Sequence, residues 1–299
     1  MAGDRFRLLP TEQPNPASRG LDKRPLSDLV AIICREDAVV PRAVAAEAPR
    51  IAKAAEMAAD SLAAGGRVVF VGAGTSGRLG VLEAAEIPPT FGTPPSRVKA
   101  IMAGGRPAVF KSKEGAEDDA AEGARRVRQE TKRGDLVVGI AASGVTPFVR
   151  GALLEARRRG CKTVFITAND RALKGIADVV IAPRTGPEIL SGSTRLKSGT
   201  AAKLVLNALT TAAMSRLNKV YDNWMVDLRP TNKKLVARAV RVIAHLGGVG
   251  PREAERLFTE SGRHVKTAVV MARKGLERRA ARRRLAGKGG SLRRALEER

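Results

Sequence analysis

The sequence predicts an α/β protein built on a doubly wound, five-stranded parallel sheet. Short apolar runs alternate with longer amphipathic stretches, and this alternation is typical of strands joined by helices. The runs are rich in Val and Ile, as expected for parallel strands that are buried on both faces. They are residues 67–71, 98–102, 136–140, 163–167 and 179–182. The clearest helical stretches between them are residues 114–128 and 146–158.

The segments on either side of the sheet are predicted to be irregular or helical. Residues 1–26 carry four prolines and two glycines and predict an irregular arm, whereas residues 26–64 show helical spacing with a break at Pro41. After Gly192 the spacing is helical again, with a glycine-rich interruption at residues 247–250. We therefore expect three parts. They are an N-terminal arm with helices (1–60), a sheet domain (61–224) and a C-terminal helical domain (225–299).

Composition restricts the function classes. The formal net charge is +24, but aromatic residues make up only 3%, which argues against a base-stacking platform. Residues 271–299 hold eleven Lys and Arg against three Glu, yet no DNA-reading motif accompanies them, so a solvated surface is favoured over a nucleic-acid site. No apolar run suits a membrane span or a signal peptide, and Cys34 and Cys161 are too few for a disulfide framework. We expect a cytoplasmic protein.

A glycine-rich loop follows the first predicted strand and opens a helix. Residues 72–77 read G-x-G-x-x-G, the pattern of dinucleotide-binding folds. The second strand, however, ends at residues 102–105 without the carboxylate that would hold a ribose. Thr75 and Ser76 instead suit a phosphate monoester held by hydroxyls and helix N–H groups, so Gly74, Thr75, Ser76 and Gly77 are candidate ligands. A glycine turn that only packs the helix on the strand is the alternative.

A second loop of the same kind follows the third strand. Ser143, Gly144 and Thr146 precede Pro147, which suits the first turn of a helix. In a sheet ordered 2-1-3-4-5, strands one and three flank the switch point, so both loops are expected to face one crevice.

A third polar segment precedes the long helix that follows Gly192. Ser193, Thr194 and Lys197 are candidates to close the site from the side. An ordinary Ser/Thr helix cap is the alternative for these residues.

Several motifs together resemble one family with the sugar isomerase (SIS) phosphosugar-binding fold. The chain is similar to the N-acetylmuramic acid 6-phosphate etherases over nearly its whole length. The matching segments are 72–92, 114–118, 139–147, 192–207, 219–227, Thr231–Asn232, Thr11–Glu12, Asn15, 21–22 and 266–271. Val145 departs from the Arg usual in the family, and Asn169–Asp170 departs from the usual Asn-Pro.

The resemblance implies cleavage of a D-lactyl ether in cell-wall amino-sugar recycling, without metal or cofactor. It places the family's acid/base residue on Glu86 and its second catalytic glutamate, the C2 base, on Glu117. By spacing alone, each residue is one of an i, i+3 pair of glutamates, and such pairs are usually surface residues. We expect Pro88 and Pro89 to end the helix after Glu86. An unbroken helix would place Glu86 about 13 Å from the phosphate loop, so either the chain turns back at these prolines or Glu86 serves the pocket of a second subunit. We hypothesise a homodimer with composite sites.

Two other functions on the same fold stay open at this stage. A phosphosugar-sensing regulator needs the hydroxyl loops but neither glutamate, and a phosphosugar isomerase also needs a base at C2. Metal chemistry is not favoured, because His245 and His264 are isolated and no paired-Cys spacing occurs.

Overall fold

The computed structural model describes residues 9–169 and 175–297. These residues form two compact units. The first comprises residues 9–84 and 96–212, apart from 170–174, and the second comprises residues 85–95 and 213–297. The N-terminal arm and helices thus share a unit with the sheet. The C-terminal part of the second unit begins at residue 213, whereas the sequence placed the start of the C-terminal domain at residue 225.

The first unit contains the predicted five-stranded parallel sheet. Its strand order is β2-β1-β3-β4-β5, which confirms the doubly wound arrangement. The strands are β1 (Val68–Gly72), β2 (Val98–Met102), β3 (Leu136–Ile140), β4 (Lys162–Ile166) and β5 (Val179–Ile181). Every residue of β1 and β3 is buried, as expected for central parallel strands covered on both faces.

Helices cover the sheet and carry its connections. They are α1 (Leu26–Asp37), α2 (Val40–Ala45), α3 (Ala48–Ala63), α4 (Gly74–Phe91), α5 (Pro107–Phe110), α6 (Ala120–Glu130), α7 (Pro147–Arg158) and α8 (Lys197–Arg216). Three helices replace the two predicted before the sheet, because Pro41 and Pro49 each lie in a first turn. The arm is three short 3₁₀ helices, Pro10–Glu12, Pro16–Ser18 and Leu21–Lys23.

The predicted helix from residue 114 begins later than expected. Residues 114–119 form a loop in which Gly115 has a φ of +72°. Helix α6 begins at Ala120 because the Asp119 carboxylate accepts a hydrogen bond from the Glu122 N–H at 2.8 Å.

Helix α4 does not end before its prolines, and the prediction that Pro88 and Pro89 terminate it is wrong. The helix continues to Phe91, and the Gly92 N–H still donates to the Pro88 carbonyl at 3.0 Å. The Pro89 carbonyl accepts the Arg229 N–H at 3.1 Å. The prolines remove only two N–H groups near the helix end, and these contacts stabilise the final turn.

The second unit is a helical module with its own core. After the hairpin of β6 (Val220–Tyr221) and β7 (Trp224–Met225) come α9 (Lys233–Gly247), α10 (Pro251–Glu260), α11 (Val265–Lys274), α12 (Arg278–Gly287) and α13 (Leu292–Glu297). Ile243, Phe258 and Val269 lie at the centre of its apolar cluster. Among the described residues no helix has the length and apolar character needed to cross a lipid bilayer.

Two glycines set the close packing of α6 on α7. A Cβ on Gly123 would lie 2.0 Å from the Phe148 carbonyl oxygen, and one on Gly151 would lie 2.0 Å from that of Ala120. At the same junction the Phe148 N–H donates to the Glu117 carbonyl at 2.9 Å. The packing of these two helices therefore fixes the backbone that carries Glu117.

We predict that Gly123→Ala destabilises the protein by about 1–3 kcal/mol or more, because the added Cβ forces the two helices apart. Gly199→Ala in α8 is the matched control, since its Cβ would meet other atoms only at 3.5 Å. Urea unfolding followed by circular dichroism measures both variants. Equal midpoints for wild type and Gly123→Ala would contradict the prediction.

Candidate active site

A pocket of about 320 Å³ opens at the carboxyl ends of β1 and β3. This is the switch point of the sheet, where a doubly wound fold binds its ligands. The structure brings seven of the sequence-predicted residues into its wall. They are Gly74, Thr75, Ser76, Glu117, Ser143, Thr146 and Thr194. The other five predicted residues do not line it. They are Gly77, Gly144, Ser193, Lys197 and Glu86.

The first loop turns directly from β1 into α4. A Cβ on Gly77 would lie 2.6 Å from the Gly72 carbonyl oxygen, and a Cβ on Gly72 would lie 2.7 Å from the Gly77 nitrogen. Gly74 has a φ of +52°, and the Gly77 N–H is bonded to the Ala73 carbonyl at 3.0 Å. The first N–H groups of a helix have no intrahelical acceptor, so those at the start of α4 are available to a ligand. The glycines thus serve helix packing and ligand approach together.

The second loop is held from behind by the end of β4. The buried Asn169 donates to the Ser143 carbonyl at 3.1 Å, and Thr167 donates to the Ala142 carbonyl at 3.2 Å. Gly144 has a φ of +80° and its N–H bonds to the Ala141 carbonyl. This scaffold keeps Ser143 in the pocket wall. Asn169 is the first residue of the Asn169–Asp170 pair that departs from the Asn-Pro usual in the family. Asp170 lies outside the described residues.

Pro147 takes the first turn of α7, as predicted. Between the loop and this helix, Val145 and Thr146 both line the pocket. Val145 is 37% exposed and presents an apolar side chain to it.

Lys197 was predicted as a ligand-binding residue, but it does not line the pocket. Its side chain is 2% exposed, and its ammonium donates to the Glu36 carboxylate at 2.8 Å. The buried Glu188 carboxylate accepts the N–H groups of Lys197 and Ser198, both at 2.9 Å, and so caps α8. Lys197 is therefore a structural cation in this arrangement, because its charge is already paired away from the pocket.

The same ion pair anchors the N-terminal arm. Asn15 donates to the Glu36 carboxylate at 2.7 Å and to the Pro187 carbonyl at 3.1 Å. The Lys197 hydrogen bond is the main cause of the lowered pKa of Glu36, followed by burial, which opposes it, and then by the Asn15 bond.

The arm brings a carboxylate to the pocket that was not among the predicted site residues. Glu12 lines the pocket, and a Cβ on Gly192 would lie 3.0 Å from its Oε2. The Gly192 N–H donates to the Thr11 carbonyl at 2.9 Å, and Ser191 donates to the Glu12 carbonyl at 2.8 Å. Only the motif match at Thr11–Glu12 pointed to this residue, because its contacts lie some 180 residues away in the chain.

The two predicted catalytic glutamates have different surroundings. Glu117 is exposed in the pocket wall, beside Asp118. Glu86 is an exposed residue of α4, about 13 Å along the helix from Gly77. Its neighbour Glu83 is buried and bonded to Lys203 at 2.8 Å and to Thr210 at 2.6 Å. Of this i, i+3 pair, Glu83 is therefore structural and only Glu86 is free to meet a ligand.

Within residues 9–169 and 175–297, no group of three or more acidic, histidine or cysteine side chains is placed to hold a metal ion.

Comparison with known proteins places the chain in a family. Residues 50–157 match the family model for the glucokinase regulatory protein N-terminal SIS domain. The chain is 50% identical to the N-acetylmuramic acid 6-phosphate etherase of Salinibacter ruber over 297 residues, covering 98% of this chain and 96% of that one. The chain belongs to the N-acetylmuramic acid 6-phosphate etherase family. The family membership predicted from the motifs is therefore confirmed.

Other comparisons agree with this assignment. The etherase of Serratia proteamaculans is 49% identical over 290 residues, covering 96% of this chain and 98% of that one. A solved phosphoheptose isomerase from Francisella tularensis superposes with a TM-score of 0.52 at 18% identity, covering 64% of this chain and all of that one. At that identity the likeness concerns the fold alone, and it places this etherase-family chain among SIS-like folds.

We predict that Glu36→Gln lowers the free energy of unfolding at pH 7 by about 3–5 kcal/mol, because it leaves the buried Lys197 charge unpaired. The pKa of Glu36 is lowered in the folded state, so its stabilising effect is present above the ordinary pKa of 4.5 and is lost as the pH falls through the folded value. The difference from wild type should therefore shrink in acid.

Urea unfolding at pH 7 and at acidic pH measures this difference. Glu56→Gln is the control, since Glu56 is an exposed partner of Lys53 and its loss should change stability by less than about 1 kcal/mol. A Glu36→Gln protein as stable as the control at pH 7 would contradict the structural role assigned to the pair.

Proposed function

We propose that this chain cleaves the D-lactyl ether bond of N-acetylmuramic acid 6-phosphate, giving N-acetylglucosamine 6-phosphate and D-lactate. One observation carries the proposal beyond family membership. Glu117 lies in the same pocket as both hydroxyl-glycine loops. A regulator that only senses a phosphosugar needs those loops but has no use for a carboxylate beside them. The substrate is a charged sugar phosphate that does not cross a lipid bilayer unaided, which favours a cytoplasmic reaction.

The phosphate binds through neutral donors in this proposal. Thr75, Ser76, Ser143 and Thr146 offer hydroxyl groups, and the first turn of α4 offers backbone N–H groups. A helix N-terminus favours a dianion because its N–H groups and dipole both point at the ligand. No lysine or arginine is found among the described residues that line this pocket. The positive end of the α4 dipole therefore attracts the phosphate, a role that a Lys or Arg side chain has in many other phosphate sites.

The reaction requires a base and an acid. When the sugar ring opens, the aldehyde at C1 makes the proton at C2 acidic, and Glu117 removes it. The C3–O bond then breaks, and its electron pair goes to the lactate oxygen, which takes a proton from Glu86. Water adds at C3 of the unsaturated aldehyde, with Glu86 accepting its proton, and the proton at C2 is restored. Each carboxyl group used in this way contributes about 10²- to 10⁴-fold to the rate.

Glu86 reaches the reaction from a second copy of the chain in this proposal. It is exposed and lies outside the pocket wall of its own chain. Leu82 lies one turn earlier on α4 and is 43% exposed, so an apolar side chain accompanies the carboxylate on the surface. Both observations support a homodimer in which α4 of one copy completes the pocket of the other.

We predict that the wild-type protein releases D-lactate from N-acetylmuramic acid 6-phosphate and that Glu86→Gln and Glu117→Gln each lower the rate by about 10²- to 10⁴-fold. In D₂O, Glu86→Gln should still exchange the C2 proton of the substrate, because the base is intact, whereas Glu117→Gln should not. Lactate release and exchange at C2, followed by NMR, measure the two steps separately. Glu56→Gln is a matched exposed glutamate outside the pocket and should keep wild-type activity. No lactate from folded wild-type protein would contradict the proposed function.

We further predict that mixed dimers of Glu86→Gln and Glu117→Gln chains recover activity that neither homodimer has. One site of such a dimer combines an intact Glu117 with an intact Glu86 from the other copy. The two chains carry different affinity tags, so that only the mixed dimer survives two purification steps. A purified mixed dimer as inactive as both homodimers would rule out composite sites.

A further inference from the structure

A second pocket of about 450 Å³ adjoins the first and has no role in the mechanism above. Its wall comes from α4, the end of β2, α5 and residues 112–117. Ala73, Gly74 and Glu117 line both pockets. The proposed C2 base therefore lies on the border between the two spaces.

The second pocket contains the cations that the first lacks. Arg78 and Lys113 both line it, together with the acidic Glu114 and Glu117. Neither cation forms a salt bridge with a described carboxylate, whereas Lys197 and Lys203 in the same unit do. Two positive charges are thus left free to meet an anionic group of a ligand.

The backbone holds the Arg78 guanidinium in position and lies against the stem of Lys113. The Arg78 guanidinium donates from Nε to the Val109 carbonyl at 2.8 Å and from Nη2 to the Ala108 carbonyl at 2.9 Å. Lys113 packs its aliphatic stem over Gly104, where an added Cβ would lie 3.2 Å from the Lys113 Cβ and Cδ atoms. A side chain at residue 104 would therefore push the Lys113 stem away from the pocket wall.

The substrate of the proposed function carries two anionic groups, and two adjoining pockets are available for them. The phosphate is attached to C6, whereas the lactyl carboxylate is attached through oxygen to C3, next to the C2 proton that Glu117 removes in the proposed reaction. If the phosphate binds at the two hydroxyl loops and C2 lies at Glu117, we expect the C3 substituent to extend past Glu117 into the second pocket. Met102, Ala103 and Ala108 give this pocket an apolar surface for the lactyl methyl group.

We propose that the second pocket is the lactyl subsite, in which Lys113, supported by Arg78, binds the lactyl carboxylate. This inference rests on the proposed function. A charge-assisted contact to the carboxylate recognises the one group that distinguishes the substrate from the product N-acetylglucosamine 6-phosphate. Lys113 is therefore a specificity-determining residue, and phosphate binding in the first pocket does not depend on it.

The test compares Lys113→Met with Lys111→Met, which removes another exposed charge two residues earlier and outside both pockets. We expect kcat/KM for N-acetylmuramic acid 6-phosphate to fall about 10- to 100-fold in Lys113→Met and to stay unchanged in Lys111→Met. Inhibition by N-acetylglucosamine 6-phosphate, which has a phosphate but no lactyl group, should be the same in all three proteins. Lys113→Arg should recover part of the loss, because it restores the charge.

Three results would overturn the subsite. An unchanged kcat/KM in Lys113→Met, with normal lactate release by wild type, would contradict the subsite and leave the proposed function standing. An equal weakening of N-acetylglucosamine 6-phosphate inhibition would show that the phosphate, rather than the carboxylate, meets Lys113. No lactate release by wild type would contradict the proposed function and the subsite together.

Discussion

The close approach of Gly72 and Gly77 is the constraint on which the first pocket depends. Because neither residue has a Cβ, α4 begins within one turn of the end of β1 and directs its first N–H groups at the crevice. Gly80 continues this packing one turn later, where a Cβ would lie 2.9 Å from the Phe70 Cβ. Larger residues would lift the helix from the sheet and turn its N-terminus away from the first pocket. Helix packing and the direction of these N–H groups are therefore one requirement on the sequence at these positions.

Much of the sheet could be predicted from the sequence because its strands are continuous apolar runs. The runs that became β2 and β3 were placed to the residue, and the strand order 2-1-3-4-5 considered for a doubly wound sheet is the order observed. The loops around Thr75 and Ser143 were predictable for the same reason, since each follows a strand and opens a helix. Local pattern and global topology agree at these places.

The predictions that did not hold concern contacts between residues far apart in the chain. Lys197 follows a hydroxyl-rich segment and so resembles a ligand, but its partner Glu36 lies 161 residues earlier. Prolines were predicted to end α4 after Glu86 from local sequence alone. The helix continues, and the Arg229 N–H, from a distant part of the chain, donates to the Pro89 carbonyl. Glu12 was not predicted to line a pocket, because it lies in a segment without periodicity and only the motif match at Thr11–Glu12 pointed to it. Spacing along the chain carries no information about such partners.

The contacts show that part of the large positive net charge belongs to ion pairs within the protein. In the second unit, the buried Lys266 and the nearby Lys219 share the Asp227 carboxylate at 3.0 and 2.7 Å. Burial is the main cause that lowers the pKa of Lys266, and Asp227 opposes it. Arg256 is paired with Glu253 and Glu260 on the surface of α10. Part of the positive charge thus forms structural ion pairs, and no Lys or Arg is found among the described residues that line the first pocket.

The arm that carries Glu12 also has a consequence for how the chain is made. Its anchors include Pro187 and Gly192, so the arm must wait for partners that are synthesised about 180 residues later. At about 5–20 residues per second this delay is about 10–40 s. The two hydroxyl loops are synthesised and can pack within that time, but the wall formed by the arm cannot. The pocket is therefore completed late in biosynthesis, after the start of α8 has emerged and the two distant segments have met.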